Sequence, residues 1–254
     1  MSETQIQEAA RLILKSSSTV ALTGAGVSTK SGIPDFRGPH GLWTKIDPSK
    51  FATIDAFLSD PKGWWETALQ LSPVILRAKP NPAHTMLAKL ERMGLLQWLV
   101  TQNVDALHQR AGNKRVLEVH GSLLSASCTL CQMQVDRSHL ERAIKKRQIP
   151  PTCPACGGIL KIDAVFFGEG LPRGVFAQAV QAARDCRLML IVGSSLTVYP
   201  VDMLPSIARK SGASLVIINE EPTPFDDAVD LVIRAEAGET LTRIVKTVEK
   251  ARHR

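Results

Sequence analysis

The sequence predicts an α/β fold: a Rossmann-like parallel sheet with helices on both faces, joined to a small zinc-binding and helical second domain. Short apolar runs such as Thr19–Thr23 and Arg187–Val192 alternate with segments that have helical spacing. Strands separated by helices form parallel sheets that are covered on both faces. Two Cys-x-x-Cys pairs lie inside this pattern and predict the smaller unit.

The individual elements follow from apolar periodicity and from breaker residues. Helices are predicted over residues 3–15, 88–93, 136–147, 175–184, 203–210 and 240–252. Strands are predicted over residues 19–23, 95–101, 187–192, 214–218 and 230–234. In a sheet of this kind, ligands bind at the carboxyl ends of the strands.

Two segments interrupt the alternation and are expected to form the second domain together. Residues 39–82 are rich in proline and aromatic residues, and residues 123–163 contain the cysteine pairs and a basic helix. Residues 1–38, 83–122 and 164–254 would then form the larger, nucleotide-binding domain. The cleft between the two domains is the expected site.

The four paired cysteines predict a zinc site at Cys128, Cys131, Cys153 and Cys156. Zinc takes four ligands tetrahedrally, and each Cys-x-x-Cys turn supplies two of them from one loop. Four thiolates leave no open coordination position, so a zinc ion here would be structural. The alternatives are two disulfides or four unrelated core cysteines. Disulfides are disfavoured because no secretory signal is recognised, and we expect a cytoplasmic, reducing location. The fifth cysteine, Cys186, is predicted to be a core residue.

The chain of 254 residues carries a net charge of +7, and 44% of its residues are apolar. This balance predicts a globular protein with anionic ligands or partners. No apolar run is long enough to cross a bilayer, so we expect no membrane partner, and we expect a monomer. A basic cluster at Arg142, Lys145, Lys146 and Arg147 fits a solvated helix face better than a nucleic-acid site.

Polar residues follow the predicted strands, where a ligand would bind. Gly24 and Gly26 let backbone amides approach a pyrophosphate at a helix N-terminus. The third glycine of the dehydrogenase fingerprint is replaced by Thr29, and no acidic residue ends a strand about 20 residues later. The sequence therefore disfavours hydride transfer.

Taken together, the motifs resemble those of the sirtuins, which are NAD-dependent protein-lysine deacylases. The resemblance spans nearly the whole chain. The matching segments are Gly24–Ser28, Gly32–Arg37, Thr101–Asp105, His120–Gly121, the four cysteines, Phe167–Glu169, Gly193–Leu196 and Asn219.

The resemblance implies removal of acetyl or other acyl groups from protein lysines. NAD would be consumed, giving nicotinamide, 2′-O-acyl-ADP-ribose and free lysine, and one zinc ion would be structural. Catalytic roles fall on His120, as general base, and on Asn103. The implied NAD contacts are Gly24, Ala25, Gly26, Thr29, Asp35, Phe36, Arg37, Gln102, Asn103, Val104, Asp105, Gly193, Ser194, Ser195, Asn219, Glu220 and Ala237. The implied peptide contacts are Val165, Phe167, Gly168, Glu169 and Val198.

The resemblance also bears on the acyl group. Relatives that remove acidic acyl groups carry a Tyr-x-x-Arg sequence after an Asp-Pro turn. Here residues 64–71 follow Asp60-Pro61 and contain no such sequence. We therefore predict an apolar acyl pocket.

Two other functions stay open at this point. One is protein ADP-ribosyl transfer in the same pocket. The other is a non-catalytic zinc protein that binds nucleic acid or chromatin. An acyl-lysine protein is the expected partner, and a nucleic-acid-associated protein is one candidate.

Overall fold

The structure is a computed structural model that describes residues 1–35, 41, 44 and 47–252. The helices are α1 (Glu3–Lys15), α2 (Pro48–Phe51), α3 (Ile54–Ser59), α4 (Pro61–Arg77), α5 (Pro82–Arg92), α6 (Leu107–Ala111), α7 (Arg137–Lys145), α8 (Arg173–Asp185), α9 (Met203–Lys210) and α10 (Ala237–Arg252). The strands are β1 (Thr19–Thr23), β2 (Trp98–Thr101), β3 (Val116–Glu118), β4 (Ser125–Cys128), β5 (Gln134–Asp136), β6 (Leu160–Ile162), β7 (Leu188–Val192), β8 (Ser214–Ile218) and β9 (Leu231–Ile233).

Six parallel strands form the main sheet in the order β3-β2-β1-β7-β8-β9. The predicted parallel sheet is confirmed. Strands β2 and β3 lie on one side of β1, and strands β7, β8 and β9 lie on the other. The strand order therefore reverses at β1, and sheets of this kind bind ligands at such a point.

Alternate residues of each strand pack on opposite faces of the sheet. Ala21 and Leu99 contact the cluster formed with α1, α5 and α10, while Val20 and Ile191 contact the cluster formed with α8 and α9. The central strands β1 and β7 are buried along their whole length. This explains their continuous apolar sequences, since each strand has to fit two apolar layers.

The strand predicted over 95–101 begins only at Trp98. The preceding residues close the helix instead, because the Leu95 N–H donates to the Leu90 carbonyl. Helix α5 starts at Pro82, six residues before its predicted start, because Asn81 and His84 form a capping box. Within the described ranges, no helix has both the length and the apolar character needed to cross a membrane.

A smaller unit joins the two segments that interrupt the alternation. Its antiparallel sheet has the order β5-β4-β6. Phe57, Trp64 and Trp65 from the first segment share one hydrophobic cluster with residues of the second, including Leu160. The indole Nε1 of Trp65 donates to the Leu160 carbonyl at 2.9 Å. The two segments therefore pack together, while the domain boundaries stay a prediction.

Replacing Trp65 with Phe should destabilise the protein by about 2 kcal/mol, because it leaves the buried Leu160 carbonyl without its donor. Urea denaturation followed by circular dichroism measures the change. Trp98→Phe is the matched control, since Trp98 is 36% exposed, and it should shift stability by less than about 0.5 kcal/mol. Equal effects of the two substitutions would contradict the assigned role of Trp65.

Candidate active site

Four strand ends of the main sheet meet at one edge. Gly24 follows β1, Gln102 follows β2, Gly193 follows β7 and Asn219 follows β8. These four strands are neighbours in the sheet, so the residues expected to contact the nucleotide converge here. The convergence is a property of the fold, because parallel strands all point their carboxyl ends the same way.

The two glycine turns of this edge are packed directly against each other. The Gly26 N–H donates to the Gly193 carbonyl at 2.9 Å, and the Gly24 N–H donates to the Val192 carbonyl at 3.2 Å. A Cβ atom at Gly193 would lie 2.3 Å from the Val27 nitrogen, and Gly193 has a φ of +59°. The glycines are therefore needed for the contact between β1 and β7 as well as for any approach of a phosphate.

A small cavity of about 70 Å³ lies beside these turns. Of the residues expected to contact NAD, it is lined by Gly26, Thr29, Asp35, Gly193, Asn219, Glu220 and Ala237. It is also lined by Ile218, Glu221 and Ala235, which sequence reasoning missed. Each of these three residues lies within two positions of Asn219 or Ala237 along the chain, which is the only sequence signal they carry. The expected contacts Phe36 and Arg37 lie outside the described residues.

Ala25 and Ser195 were also expected to contact NAD, and neither lines this cavity. Ala25 is half-buried at the start of the 3₁₀ turn Ala25–Ser31. The exposed Ser195 hydroxyl is hydrogen-bonded to that of Thr197 at 2.9 Å. In contrast, Ser194 is buried, and Gln102 Nε2 donates to its hydroxyl at 2.9 Å, which links the ends of β2 and β7.

A buried polar network holds Asn103. Its side-chain Nδ2 donates to the Ser28 hydroxyl at 3.0 Å, and that hydroxyl donates to Asp105 Oδ2 at 2.7 Å. The other Asp105 oxygen accepts the Leu107 N–H at 2.9 Å. Asp105 therefore fixes the first turn of α6 and also aligns Asn103 through Ser28. The adjacent Val104 is half-buried, and its carbonyl accepts a backbone N–H.

Two buried histidines lie next to this network, and sequence reasoning gave them no role. His84 Nε2 lies 3.3 Å from the Ser28 hydroxyl, and His108 Nε2 lies 3.0 Å from the Thr23 hydroxyl. Their ring centroids are 4.8 Å apart. Burial lowers the pKa of His84 to about 4 and holds the pKa of His108 well below its ordinary value. Both rings are therefore neutral and serve as hydrogen-bonding groups.

His120 follows β3, and its Nδ1 atom lies 3.1 Å from the Gln102 carbonyl. A carbonyl can only accept, so Nδ1 carries the proton and the lone pair of Nε2 is left to act as a base. Burial lowers the pKa of His120 below its ordinary value, and the hydrogen bond to Gln102 opposes this in part. The imidazole is therefore neutral at neutral pH, as a general base requires.

Residues 163–169, here called the peptide loop, contain four of the five expected peptide contacts. The Val165 N–H donates to the His120 carbonyl at 2.9 Å. Phe167 is 49% exposed and forms an isolated bridge to Thr53, and the neighbouring Gly168 has a φ of +92°. The fifth expected contact, Val198, is half-buried in a separate loop that precedes α9. An extended chain that pairs with the peptide loop would pass beside His120.

The side chain of Glu169, an expected peptide contact, is engaged within the protein. Glu169 Oε2 accepts the Phe166 N–H at 2.8 Å and lies 3.0 Å from Lys161 Nζ. One oxygen of its carboxylate is thus engaged by the loop and by β6.

The four paired cysteines converge as predicted, and their sulfurs lie within 4.8 Å of one another. The Cys128–Cys156 and Cys131–Cys153 sulfur distances are 3.5 and 3.7 Å. A tetrahedral zinc ion with bonds of about 2.3 Å needs sulfurs about 3.8 Å apart. The cluster therefore fits a structural zinc ion. Cys186 is buried elsewhere in the core, as expected.

The polar surroundings of the cluster also suit a cation. The backbone N–H groups of Cys131 and Leu130 point at the Cys128 sulfur and lower the pKa of that thiol to about 6. The Met133 N–H lowers the pKa of Cys131, but the three neighbouring sulfurs and burial outweigh it and raise that pKa to about 12. Sulfurs this close compete for protons, and a bound cation stabilises all four as thiolates.

Comparisons with known proteins agree over nearly the whole chain. The Sir2 family model matches residues 24–200. The NAD-dependent protein deacylase 2 of Archaeoglobus fulgidus is 44% identical over 251 residues, which is 98% of this chain and 98% of the relative. The NAD-dependent protein deacetylase 1 of Pyrobaculum aerophilum is 47% identical over 242 residues, or 95% of this chain and 94% of the relative.

Solved structures show the same fold. One described as the structural basis for the mechanism and regulation of Sir2 enzymes has a TM-score of 0.91 and 43% identity, covering 98% of this chain and 100% of the other. A Sir2 variant in complex with a deacetylated p53 peptide and 3′-O-acetyl ADP-ribose has a TM-score of 0.88 and 40% identity. That match covers 95% of this chain and 98% of the other.

The purified protein should contain one zinc ion per chain, and Cys156→Ser should lower both the zinc content and the melting temperature, because three thiolates hold zinc more weakly than four. Elemental analysis and differential scanning calorimetry measure the two effects. Cys186→Ala is the matched control and should keep its zinc. Full zinc occupancy in Cys156→Ser would show that Cys156 is not a ligand.

Proposed function

This chain belongs to the Sir2 family of NAD-dependent protein deacetylases and deacylases, and we propose that its strand-end edge and peptide loop form the active site for removing acyl groups from protein lysines. One observation carries the assignment of the site. The half-buried His120 keeps Nε2 available as a base, and it lies between the Asn103 network and the peptide loop. Base, cofactor residues and peptide edge thus meet in one place.

In this reaction NAD supplies an anomeric carbon, which bonds to the acyl oxygen of the lysine amide as nicotinamide leaves. His120 Nε2 then removes the proton from a ribose hydroxyl, whose oxygen attacks the former amide carbon. Water hydrolyses the adduct to free lysine and 2′-O-acyl-ADP-ribose, and His120 returns its proton. Histidine suits the role because its ordinary pKa lies near neutrality, and the lowered pKa of His120 keeps the ring unprotonated at neutral pH.

The remaining residues orient the substrates. Ser28 and Asp105 hold the Asn103 amide in one position, where it would contact the nicotinamide ribose or carboxamide. The glycine turns would receive the pyrophosphate, and the cavity beside Asn219 would take the adenosine half. These groups are fixed before binding, which reduces the entropy lost when the reactants are aligned.

An acylated peptide would bind as an extended strand between the peptide loop and residues 196–199. Main-chain pairing of this kind tolerates many sequences. Four exposed basic residues on the zinc-bearing unit favour a target with acidic or polyanionic surroundings, such as a nucleic-acid-associated protein. They are Arg142, Lys145, Lys146 and Arg147.

The acyl pocket is proposed to be apolar. Within α4 the basic residues are Lys62 and Arg77, which lie near the two ends of the helix. Lys62 faces Glu66 at 4.0 Å with both side chains exposed. Phe166 of the peptide loop packs in an aromatic cluster, and its ring centroid lies 5.2 Å from that of Trp64. Nothing in this set would offset the burial of a negatively charged acyl group.

Mixing the protein with NAD and an acetyl-lysine peptide should release nicotinamide and deacetylated peptide in equal amounts, measured by mass spectrometry. His120→Ala should lower turnover by about 10²- to 10⁴-fold while NAD binding, measured by calorimetry, changes little. His139→Ala, on α7, is the matched control. Because the pKa of His120 is depressed, the wild-type rate should rise with pH through a value below 6.5 and then level off.

Two outcomes would contradict this assignment. Near-normal deacetylation by His120→Ala would remove His120 as the base. Transfer of labelled ADP-ribose to protein, independent of any acyl-lysine, would instead favour the ADP-ribosyltransferase alternative.

Acetyl-lysine and succinyl-lysine peptides of one sequence should differ by at least about tenfold in kcat/KM, with acetyl preferred, because a buried carboxylate without a cation is costly. A propionyl peptide serves as the control for size and should stay close to acetyl. Comparable rates on the succinyl and acetyl peptides would show that a cation reaches the pocket.

A further inference from the structure

A largely buried lysine links the start of the peptide loop to its end. Lys161, in β6, has a side chain that is only 12% exposed. Its Nζ atom lies 2.8 Å from the Ile162 carbonyl, 2.9 Å from the Ala164 carbonyl and 3.0 Å from Glu169 Oε2. The ammonium group donates hydrogen bonds to the two carbonyls and forms an ion pair with the carboxylate. Lys161 therefore contacts both the loop and its entry strand.

Glu169, at the end of the peptide loop, is the partner of Lys161. The carboxylate oxygen that meets Lys161 also accepts the Phe166 N–H at 2.8 Å, and the Glu169 N–H donates to the Phe166 carbonyl at 3.0 Å. Lys161 Nζ also lies 4.2 Å from the centre of the Phe166 ring, a favourable cation–π distance. The entry and exit of the loop are thus joined through one half-buried ion pair.

The backbone of the peptide loop is hydrogen-bonded to two other segments of the chain. The Val165 N–H donates to the His120 carbonyl, and the Phe167 N–H donates to the Ala52 carbonyl at 2.8 Å. The Phe167 carbonyl in turn accepts the Ile54 N–H at 3.0 Å. A change in loop conformation would therefore displace the peptide edge relative to His120. The residues that line the nucleotide cavity come from other segments.

We propose that Lys161 is a positioning residue for the acylated peptide: its ion pair with Glu169 holds the peptide loop in the shape that presents its edge beside His120. Lys161 acts through the loop backbone, since its own ammonium is enclosed. The inference rests on the proposed function. It predicts separate effects on the two substrates, because the loop contacts the expected path of the peptide and takes no part in the nucleotide cavity.

Lys161→Met keeps an unbranched apolar stem and removes the charge, which leaves Glu169 as an unpaired, half-buried anion. We expect the KM for an acetyl-lysine peptide to rise about tenfold, with the KM for NAD within about twofold of wild type. Lys161→Arg keeps the charge and should recover most of the loss. Lys246→Met, at an exposed position of α10, is the matched control and should change neither constant.

Glu169→Gln tests the pair from its other side, since the amide oxygen can still accept the Phe166 N–H while the negative charge is lost. It should also raise the peptide KM without affecting NAD affinity, measured by calorimetry. Scanning calorimetry of each variant checks folding, and Glu169→Gln carries the test if Lys161→Met fails to fold.

The proposal is overturned if Lys161→Met keeps the wild-type peptide KM, if it weakens peptide and NAD equally, or if Lys161→Arg behaves like Lys161→Met. These outcomes are distinct from a failure of the proposed function. If the wild-type protein releases no nicotinamide with an acetyl-lysine peptide, the function itself is wrong.

Discussion

The hydrogen bond between His120 Nδ1 and the Gln102 carbonyl is the interaction on which the proposed chemistry of this site depends. It fixes the tautomer, leaves the Nε2 lone pair free for the proposed role as base and ties the end of β3 to the end of β2. The same segment carries Asn103 and Asp105, so the backbone that orients the base also carries the groups expected to hold the nicotinamide end of NAD. Displacement of the end of β2 would therefore disturb both the proposed NAD contacts and the proposed proton transfer.

Much of the fold could be predicted from local patterns. The apolar runs of β1, β7 and β8 are buried on both faces, so their sequences alone indicate parallel strands. The cysteine pairs indicate their own convergence because zinc imposes a tetrahedral geometry. The start of α5 was harder to predict from the sequence. This helix begins at a capping box whose second residue is a histidine, an unusual partner in that motif.

The site was predicted less completely, and the reason is long-range packing. His84 is 56 residues from Ser28 and His108 is 85 residues from Thr23 along the chain, and neither histidine lies directly after a strand. No local pattern connects such pairs. Likewise, the Lys161–Glu169 ion pair depends on the loop turning back on itself, which periodicity does not reveal. The expected roles of Gly24 and Gly26 were incomplete, since contact with Gly193 requires them too.

The shared aromatic cluster has a consequence for synthesis on the ribosome. Trp65 and its hydrogen-bond acceptor Leu160 are 95 residues apart, and at about 5–20 residues per second the second partner is made roughly 5–20 s after the first. During that interval the second segment, which includes Leu160, has not been made and cannot cover the side chains of Phe57, Trp64 and Trp65. The nascent chain therefore exposes an aromatic patch that suits chaperone binding, and the zinc-bearing segment ends that exposure when it emerges.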